Sequence, residues 1–511
     1  MALVLTGIDV NDPTPGLKRE IATNRGASGG ATQSRKAFLW GNKISSVGSG
    51  SVDGLGWPVN EPVRIDGGEA EVINRYGYRS ELLNQFRVFR KHNPSSTVWM
   101  AFVAPGTGSA SVQFTFATTA TAAGKVTVDT MGEKVEVAIA NGDTAATIAT
   151  NVIAAINRQL YWLVSASSGG AGIVTVTATI AGSRFDHYCT YIRMYFDKSL
   201  GTTVTKGSVT GGSTDDDDTG LIAALGAWDF YYHVNPKSTT SSTSSTDNGI
   251  GEHLAYITDA VGPANGKQGV LITGQVGTAT QATTVATSMN SEFAFHVCAK
   301  NNDYSPGMLA AAFAGVLSYA ELTNRAPNLV DYGKRSSNDK LFVPDPYTKS
   351  DRWTSTEIKT LLNNGCTPIN FTSEGVPYIV WYVTTRSLSN SVNDYRSRPG
   401  HIPSVCFDFW ESFQSSWLST VQPNVANDPL RGEKPLPLFT YPKDAKALLA
   451  DTIDQKIDTS PATLDPSQRV PMKDSIVAER LTSGIAARVG IGAVRHMLKA
   501  QFLIEEVSPS I

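Results

Sequence analysis

Apolar and polar residues alternate most clearly between residues 109 and 181. VQFTF, KVTVDT, EKVEVAI and GIVTVTATI each switch character at every second position, the period of a half-buried antiparallel strand. Between the third and fourth lies GDTAATIATNVIAAINRQL. There Ile148, Val152 and Ile156 recur at four-residue spacing, and Asp143 or Thr144 can cap the start. The pattern predicts a helix laid across a small sheet, with Gly124 and Gly132 at hairpin turns.

Beyond residue 218 the period itself alternates. TGLIAALGA, GEHLAYITDAVG, TATQATTVATSMN and PGMLAAAFAGVLSYAEL read as helices, and WDFYYHV, QGVLITGQV and EFAFHVCAK between them read as strands. Such alternation predicts a central, largely parallel sheet flanked by helices. SDRWTSTEIKTLLNNGC adds a capped helix closed near Gly365, and TPINFTSEGVPYIVWYVTT adds two strands joined at Glu374-Gly375. Upstream, AFLWG and STVWMAFVA read as strands. They bracket EAEVINRYGYRSELLNQFRVFRKH, where Leu82, Leu83, Phe86 and Phe89 keep near-helical spacing. Residues 443–500 read as mostly helical, and QFLIEEV as a last strand. Residues 1–35 have turn formers and charges but no apolar face, so they cannot fold alone. They are either a loose terminus or an arm that orders on a neighbour.

The expected fold class is therefore α/β, in a multidomain α+β arrangement. A central sheet flanked by helices carries an inserted small β-rich module and extended N- and C-terminal arms. The expected divisions are an arm at 1–35, the first part of the body at 36–108, the module at 109–214, the central α/β domain at 215–440, and a helical region with a terminal strand at 441–511.

Composition narrows the partners. A chain of 511 residues exceeds one ordinary core. Its net charge of -3 gives no field to gather nucleic acid or coat an anionic membrane. The longest apolar run, at 308–320, is shorter than the roughly 20 residues a membrane span needs. MALVLTGIDV lacks the basic start of a secretory signal, which suggests maturation in a cytoplasm. Cys189, Cys298, Cys366 and Cys406 have no C-x-x-C spacing, so reduced, buried thiols are expected.

Several short stretches imitate chemistry. GPANGKQG has one residue too few between its glycines for a phosphate loop, has Gln268 where Ser or Thr belongs, and precedes a strand rather than following one. DHYC places Asp186, His187 and Cys189 together, but neighbours on a strand would face opposite ways. His233 and His296 lie in apolar strands and read as core histidines; Asn370-Phe371-Thr372 is a glycosylation triplet by pattern only. The acidic run at 215–218 lacks the alternate spacing and distant Glu of a calcium loop. It reads as a solvated junction in which Asp218 or Thr219 caps the next helix. On a helix, Arg480, Arg488 and Arg495 would share a basic stripe, either a solvated face or a surface for an acidic partner. No constellation supports an enzyme, a cofactor or a metal.

The order of the pieces resembles the contractile-tail sheath proteins of myophages, in the Mu-like branch. The resemblance is carried by PTPGLKREI, INRYGYRSELLNQ, AAGKVTVDTMGEKVEVAIANGDTAATIATNVIAAIN, GGSTDDDDTGLIAALGAWDFYYHV, MLAAAFAGVLSYAELTNRAPNL and WTSTEIKTLLNNGCTPINFTSEGVPYIVWYVTT, together spanning most of residues 13–410. It implies a structural, non-enzymatic subunit that stacks as six-fold rings around a tail tube and contracts to drive the tube through an envelope. It implies partners in copies of itself, the tail tube protein, and baseplate and tail terminator proteins, with no nucleic acid, membrane or cofactor. It implies a place in the virion tail after assembly in the host cytoplasm. Arms that add strands to neighbours would use Pro15, Gly16, Leu17 and Ile21 at one end and Phe502, Leu503, Ile504 and Val507 at the other. Lys473, Arg480, Arg488 and Arg495 would face the tube. The alternatives are the sheath of a phage-derived injection device such as a contractile bacteriocin, or an unrelated α/β enzyme or ligand-binding protein with an added β module.

Overall fold

The computed structural model describes residues 35–44, 59–196, 200–214, 216–238, 249–262, 267–322, 341–346, 348–389, 392–393, 400, 403, 407, 470–477 and 480–486. β1 (Ala37–Asn42) is the spine. AFLWGN is buried along its whole length, as a strand covered on both faces must be. β2 (Val63–Ile65), α1 (Gly68–Tyr76), α2 (Glu81–His92) and β3 (Val98–Val103) follow; β3 pairs with β1 in parallel, and β2 pairs antiparallel on its outer side. The helical stretch read over 69–92 is split in two. Gly77 takes φ 87°, and Ser80 Oγ accepts the Leu83 N–H to start α2.

The chain then leaves the main sheet. β4 (Ser111–Phe116), β5 (Gly124–Thr130), β6 (Glu133–Ile139), α3 (Ala145–Asn157), β7 (Val164–Gly170), β8 (Ile173–Ala178), α4 (Asp186–Tyr191), β9 (Arg193–Phe196) and β10 (Val204–Lys206) build two small antiparallel sheets. Their orders are β10-β4-β8-β7 and β6-β5-β9. One sheet was expected; α3 instead packs on strands of both, burying Ile148, Val152 and Ile156 beneath a Thr144 cap. β7 reads VSASSGG, which has no alternation, and β9 and β10 are too short to show a period. Met131 (φ 55°) and Gly132 (φ 76°) make the β5–β6 turn. Gly124 is no turn: it opens β5, where a Cβ would lie 2.5 Å from Leu200.

On the return, α5 (Thr219–Leu225), β11 (Tyr232–Asn235), α6 (Ile250–Val261), β12 (Val270–Val276), α7 (Ala279–Met289), β13 (Ala294–Ala299), α8 (Pro306–Leu322), α9 (Ser355–Asn363), β14 (Cys366–Phe371) and β15 (Pro377–Ile379) complete a sheet ordered β15-β14-β13-β12-β11-β1-β3-β2. The strands from β14 to β3 are mutually parallel, and each edge strand is antiparallel. The fold is mixed α/β, as the alternating periods predict. α2 and α8 cover the face carrying Leu39, Val234 and Val297. α5 packs on Phe38 and Trp40 of the other face, and α7 and α9 on Cys298 and Cys366. Among the described residues no helix is long and apolar enough to cross a membrane.

Beyond a hairpin of two-residue strands, β16 (Leu388–Ser389) and β17 (Val392–Asn393), the next described strands are β18 (Val470–Val477) and β19 (Arg480–Ala486). These pair antiparallel, so the helical reading of 443–500 fails there. Pro471, the β-branched residues and Gly484 all disfavour a helix in this stretch.

Candidate functional site at the ends of β1 and β11

In an open parallel sheet, a ligand crevice forms beyond the carboxyl ends of adjacent strands whose connections leave toward opposite faces. β1 and β11 are such a pair. β1 leads through β2, α1 and α2 to β3, with α2 packed on the Leu39 face, whereas β11 leads to α6, whose His253 bonds His233 on the opposite face. The chain fills this crevice with its own side chains. Asn42 ends β1; its side chain donates to Val103 O at 2.9 Å and its N–H to Glu81 Oε2 at 3.1 Å. Arg184, from the turn after β8, donates to Glu81 Oε1 and to Asn42 Oδ1. It also clamps Asp216 with two hydrogen bonds of 2.8 and 3.0 Å. Lys237, just past β11, donates from Nζ to Asp218 Oδ1 and to Asp216 O, each at 2.8 Å.

All five charged side chains are at most 6% exposed. Three acids face two bases, and burial outweighs the pairing in the titration of two of the acids. Burial raises Glu81 above the usual carboxylate range and pushes Asp218 up to about 6, against the pull of Arg184 and Lys237 respectively. Burial opposes the Arg184 charge too, but Asp216 and Glu81 overcome it and raise that group. Asp218 Oδ2 accepts no hydrogen bond.

The acidic run thus differs from its sequence reading. Asp216 and Asp218 are buried ion-pair partners rather than solvated charges. Asp218 stands before α5 without capping it; Asp217 Oδ1 accepts the Thr219 N–H at 3.0 Å. Asn42, Glu81, Arg184 and Lys237 are the residues that sequence reasoning missed. The only signal at Lys237 is a lysine two residues after a buried strand. Among the described residues no group of three or more His, Cys, Asp or Glu is placed to hold a metal.

Below the joint, two buried histidines form a chain of hydrogen bonds. His233 Nε2 donates to Phe230 O at 3.0 Å. Its bare Nδ1 accepts from His253 Nε2 at 3.3 Å, and His253 Nδ1 accepts from Asn235 Nδ2 at 3.4 Å. Burial pushes His233 down to about 3 and His253 well below its ordinary value, so both are neutral spacers. His296 is a core histidine as expected, bonded to Thr273 at 2.7 Å. Asp186, His187 and Cys189 lie on the short helix α4 rather than a strand, and they diverge. Asp186 accepts the Gly212 N–H, His187 Nε2 lies 3.4 Å from Asp303 O, and Cys189 Sγ points to Val176 O. Cys189, Cys298 and Cys366 are buried free thiols, as predicted; Cys406 lies outside the described residues.

Of the expected partner-facing residues, only Lys473 and Arg480 fall among the described ones. Lys473 lies opposite Gly484, and Arg480 opposite Val477, in the β18–β19 hairpin. Arg488, Arg495, Pro15, Gly16, Leu17, Ile21, Phe502, Leu503, Ile504 and Val507 lie outside the described residues.

The crevice at the ends of β1 and β11 is thus occupied by the chain's own ion pairs. No protein-family model matches the chain. It is 25% identical over 372 residues, 71% of each chain, to the Mu-like prophage FluMu tail sheath protein of Haemophilus influenzae. The resemblance to Mu-like tail sheath proteins is thereby borne out. Among solved structures it is similar to the sheath tail protein of Listeria innocua, with 12% identity, a TM-score of 0.45, and 88% of this chain and 90% of that one covered. It is similar also to the sheath tail protein of Desulfitobacterium hafniense, with 11% identity, a TM-score of 0.41, and 90% and 93% covered. The anti-feeding prophage helical sheath in its contracted state matches at 12% identity and a TM-score of 0.37, with 94% and 96% covered.

Proposed function

We propose that this chain is the structural subunit of a contractile tail sheath. The observation that carries the reading is its similarity to the Haemophilus influenzae tail sheath protein over most of both chains. The self-filled crevice supports a role without catalysis. In this reading, subunits stack as six-fold rings around a tail tube, and contraction drives the tube through the host envelope. Copies of the chain, the tube protein, baseplate and terminator proteins are its partners. The virion tail is its place, and a host cytoplasm its site of assembly. The terminal segments, 1–35 with Pro15 to Ile21 and the stretch from Phe502 to Val507, would link neighbours by strand addition, which saturates backbone groups at little cost in specificity. Segments 36–108 and 215–440 form the body and 109–214 an inserted module.

The test is electron microscopy of the chain expressed alone. Hollow tubes are the expected result; a monodisperse monomer in every condition would overturn the reading. Removing residues 1–20 should leave soluble protein that no longer polymerises, and unchanged tubes would exclude the arm as linker.

A further inference from the structure

Everything from β4 to β10 hangs from the main sheet by two segments. They run side by side: Thr107 bridges Thr214 and Ser111 bridges Thr210, both antiparallel. At the crossing, a Cβ on Gly212 would lie 2.5 Å from the Gly182 carbonyl carbon, so only glycine allows the approach. A two-segment neck of this kind could serve as a hinge. The side chains around it oppose bending. Arg184 belongs to the outlying part, Glu81 and Asn42 to the main body, and Asp216 to the returning segment; one guanidinium bonds all three. Lys237 fastens the same segment from below through Asp216 O and Asp218.

The clamping continues away from the neck. Arg79, between α1 and α2, donates to Asn157 O and Gln159 O and so caps the carboxyl end of α3 at 2.8 and 3.1 Å. Asn84 of α2 donates to Tyr161 O at 3.0 Å, and the Arg87 guanidinium lies 3.8 Å over the Tyr161 ring. On the other flank, Arg193 of β9 pairs with Asp303, past the end of β13. Breaking a buried pair leaves a charge without a partner in a dry place, which costs far more than an exposed pair gains. Partial opening would strand Arg184 or Glu81 in that state, so small hinge motions are penalised from the first ångström.

We propose that the Arg184–Glu81–Asp216 joint is a latch that fixes the β4–β10 module to the main sheet as one rigid body. The inference concerns the isolated chain and does not depend on the sheath reading. In an assembly, it means that the module is carried with the body and transmits force without a hinge of its own.

Native-state hydrogen exchange on the full chain tests it without substitution. The amides of Gly182, Gly212 and Ser213, which bond across the neck, should exchange within about tenfold of the β1 and β11 amides. Exchange on the order of a thousandfold faster would overturn the latch. As a second arm, Arg184→Met should raise the rate of limited proteolysis at 104–108 and 207–214 by about tenfold or more, with far-UV circular dichroism retained. Arg184→Lys should recover part of the protection. Lys125→Gln, which removes the exposed pair with Glu136, is the control and should change nothing. Unchanged cleavage in a folded Arg184→Met protein would refute the proposal; if that variant does not fold, the exchange result alone decides.

Discussion

Lys237 and Asp218 form a pair at 2.8 Å with both side chains at most 1% exposed, inside a cluster that holds one acid more than it can neutralise. The two residues should therefore respond unequally. Lys237→Met leaves Asp218 without its cation, while Asp216 keeps Arg184, and should cost about 3–5 kcal/mol. Asp218→Asn removes the excess charge and keeps an acceptor for Lys237, so its cost should be about 1–2 kcal/mol. Urea denaturation of both variants measures the difference; equal losses would contradict the charge count. None of this was legible in DDDD itself. Carboxylates in sequence look solvated because their partners, Arg184 and Lys237, arrive from 32 and 19 positions away.

Elements whose cause is local were legible to within a residue or two. The capping box at Thr354 and Glu357 starts α9, and Gly365 (φ 77°) ends that turn, as the sequence predicts. Glycine is likewise decisive at the β5–β6 turn. Gly132 holds φ 76°, and a Cβ there would sit 3.0 Å from Pro344. Gly142 holds φ 90° with nothing within 4 Å. Gly142→Ala should cost about 1–2 kcal/mol for backbone strain alone, and Gly132→Ala more, because Pro344 must also give way. Thermal melts of the two variants test the order, and a smaller loss at Gly132 would contradict the turn geometry. Elements with non-local causes were missed or misread. β7 is a strand because β8 lies beside it, not because VSASSGG prefers one, and the β18–β19 hairpin replaces an expected helix through cross-strand pairing.

For the whole molecule, acid sensitivity follows from burial. His92, His233, His253 and His296 are buried and His187 is partly so, and desolvation pushes His92 and His187 to about 4, His233 and His296 to about 3, and His253 well below its ordinary value. The unfolded chain takes up these protons near pH 6.5, the folded chain only much lower. Between those limits falling pH favours unfolding, by about 1.4 kcal/mol per pH unit for each histidine. Glu81, Asp218, Glu252 and Asp303 act in the opposite sense, since the folded chain takes up their protons first, whereas the lowered Glu71, Asp217 and Glu357 act with the histidines. Five histidines and three lowered carboxylates against four raised ones should make the urea midpoint fall from pH 6.5 to 4; a flat or rising midpoint would contradict neutral, buried histidines. The sequence by itself determined the periods, caps and turns, hence the alternation of helix and strand, the mixed α/β class, and a resemblance spread over most of the chain. Those features depend on residues a few positions apart, where rotation per residue and backbone preference decide. Only the tertiary structure decided the strand order, the division of β4–β10 into two sheets, and the conversion of an acidic run into a buried joint. Each of those depends on groups far apart in sequence, whose charges and apolar faces acquire their meaning from what folding places beside them.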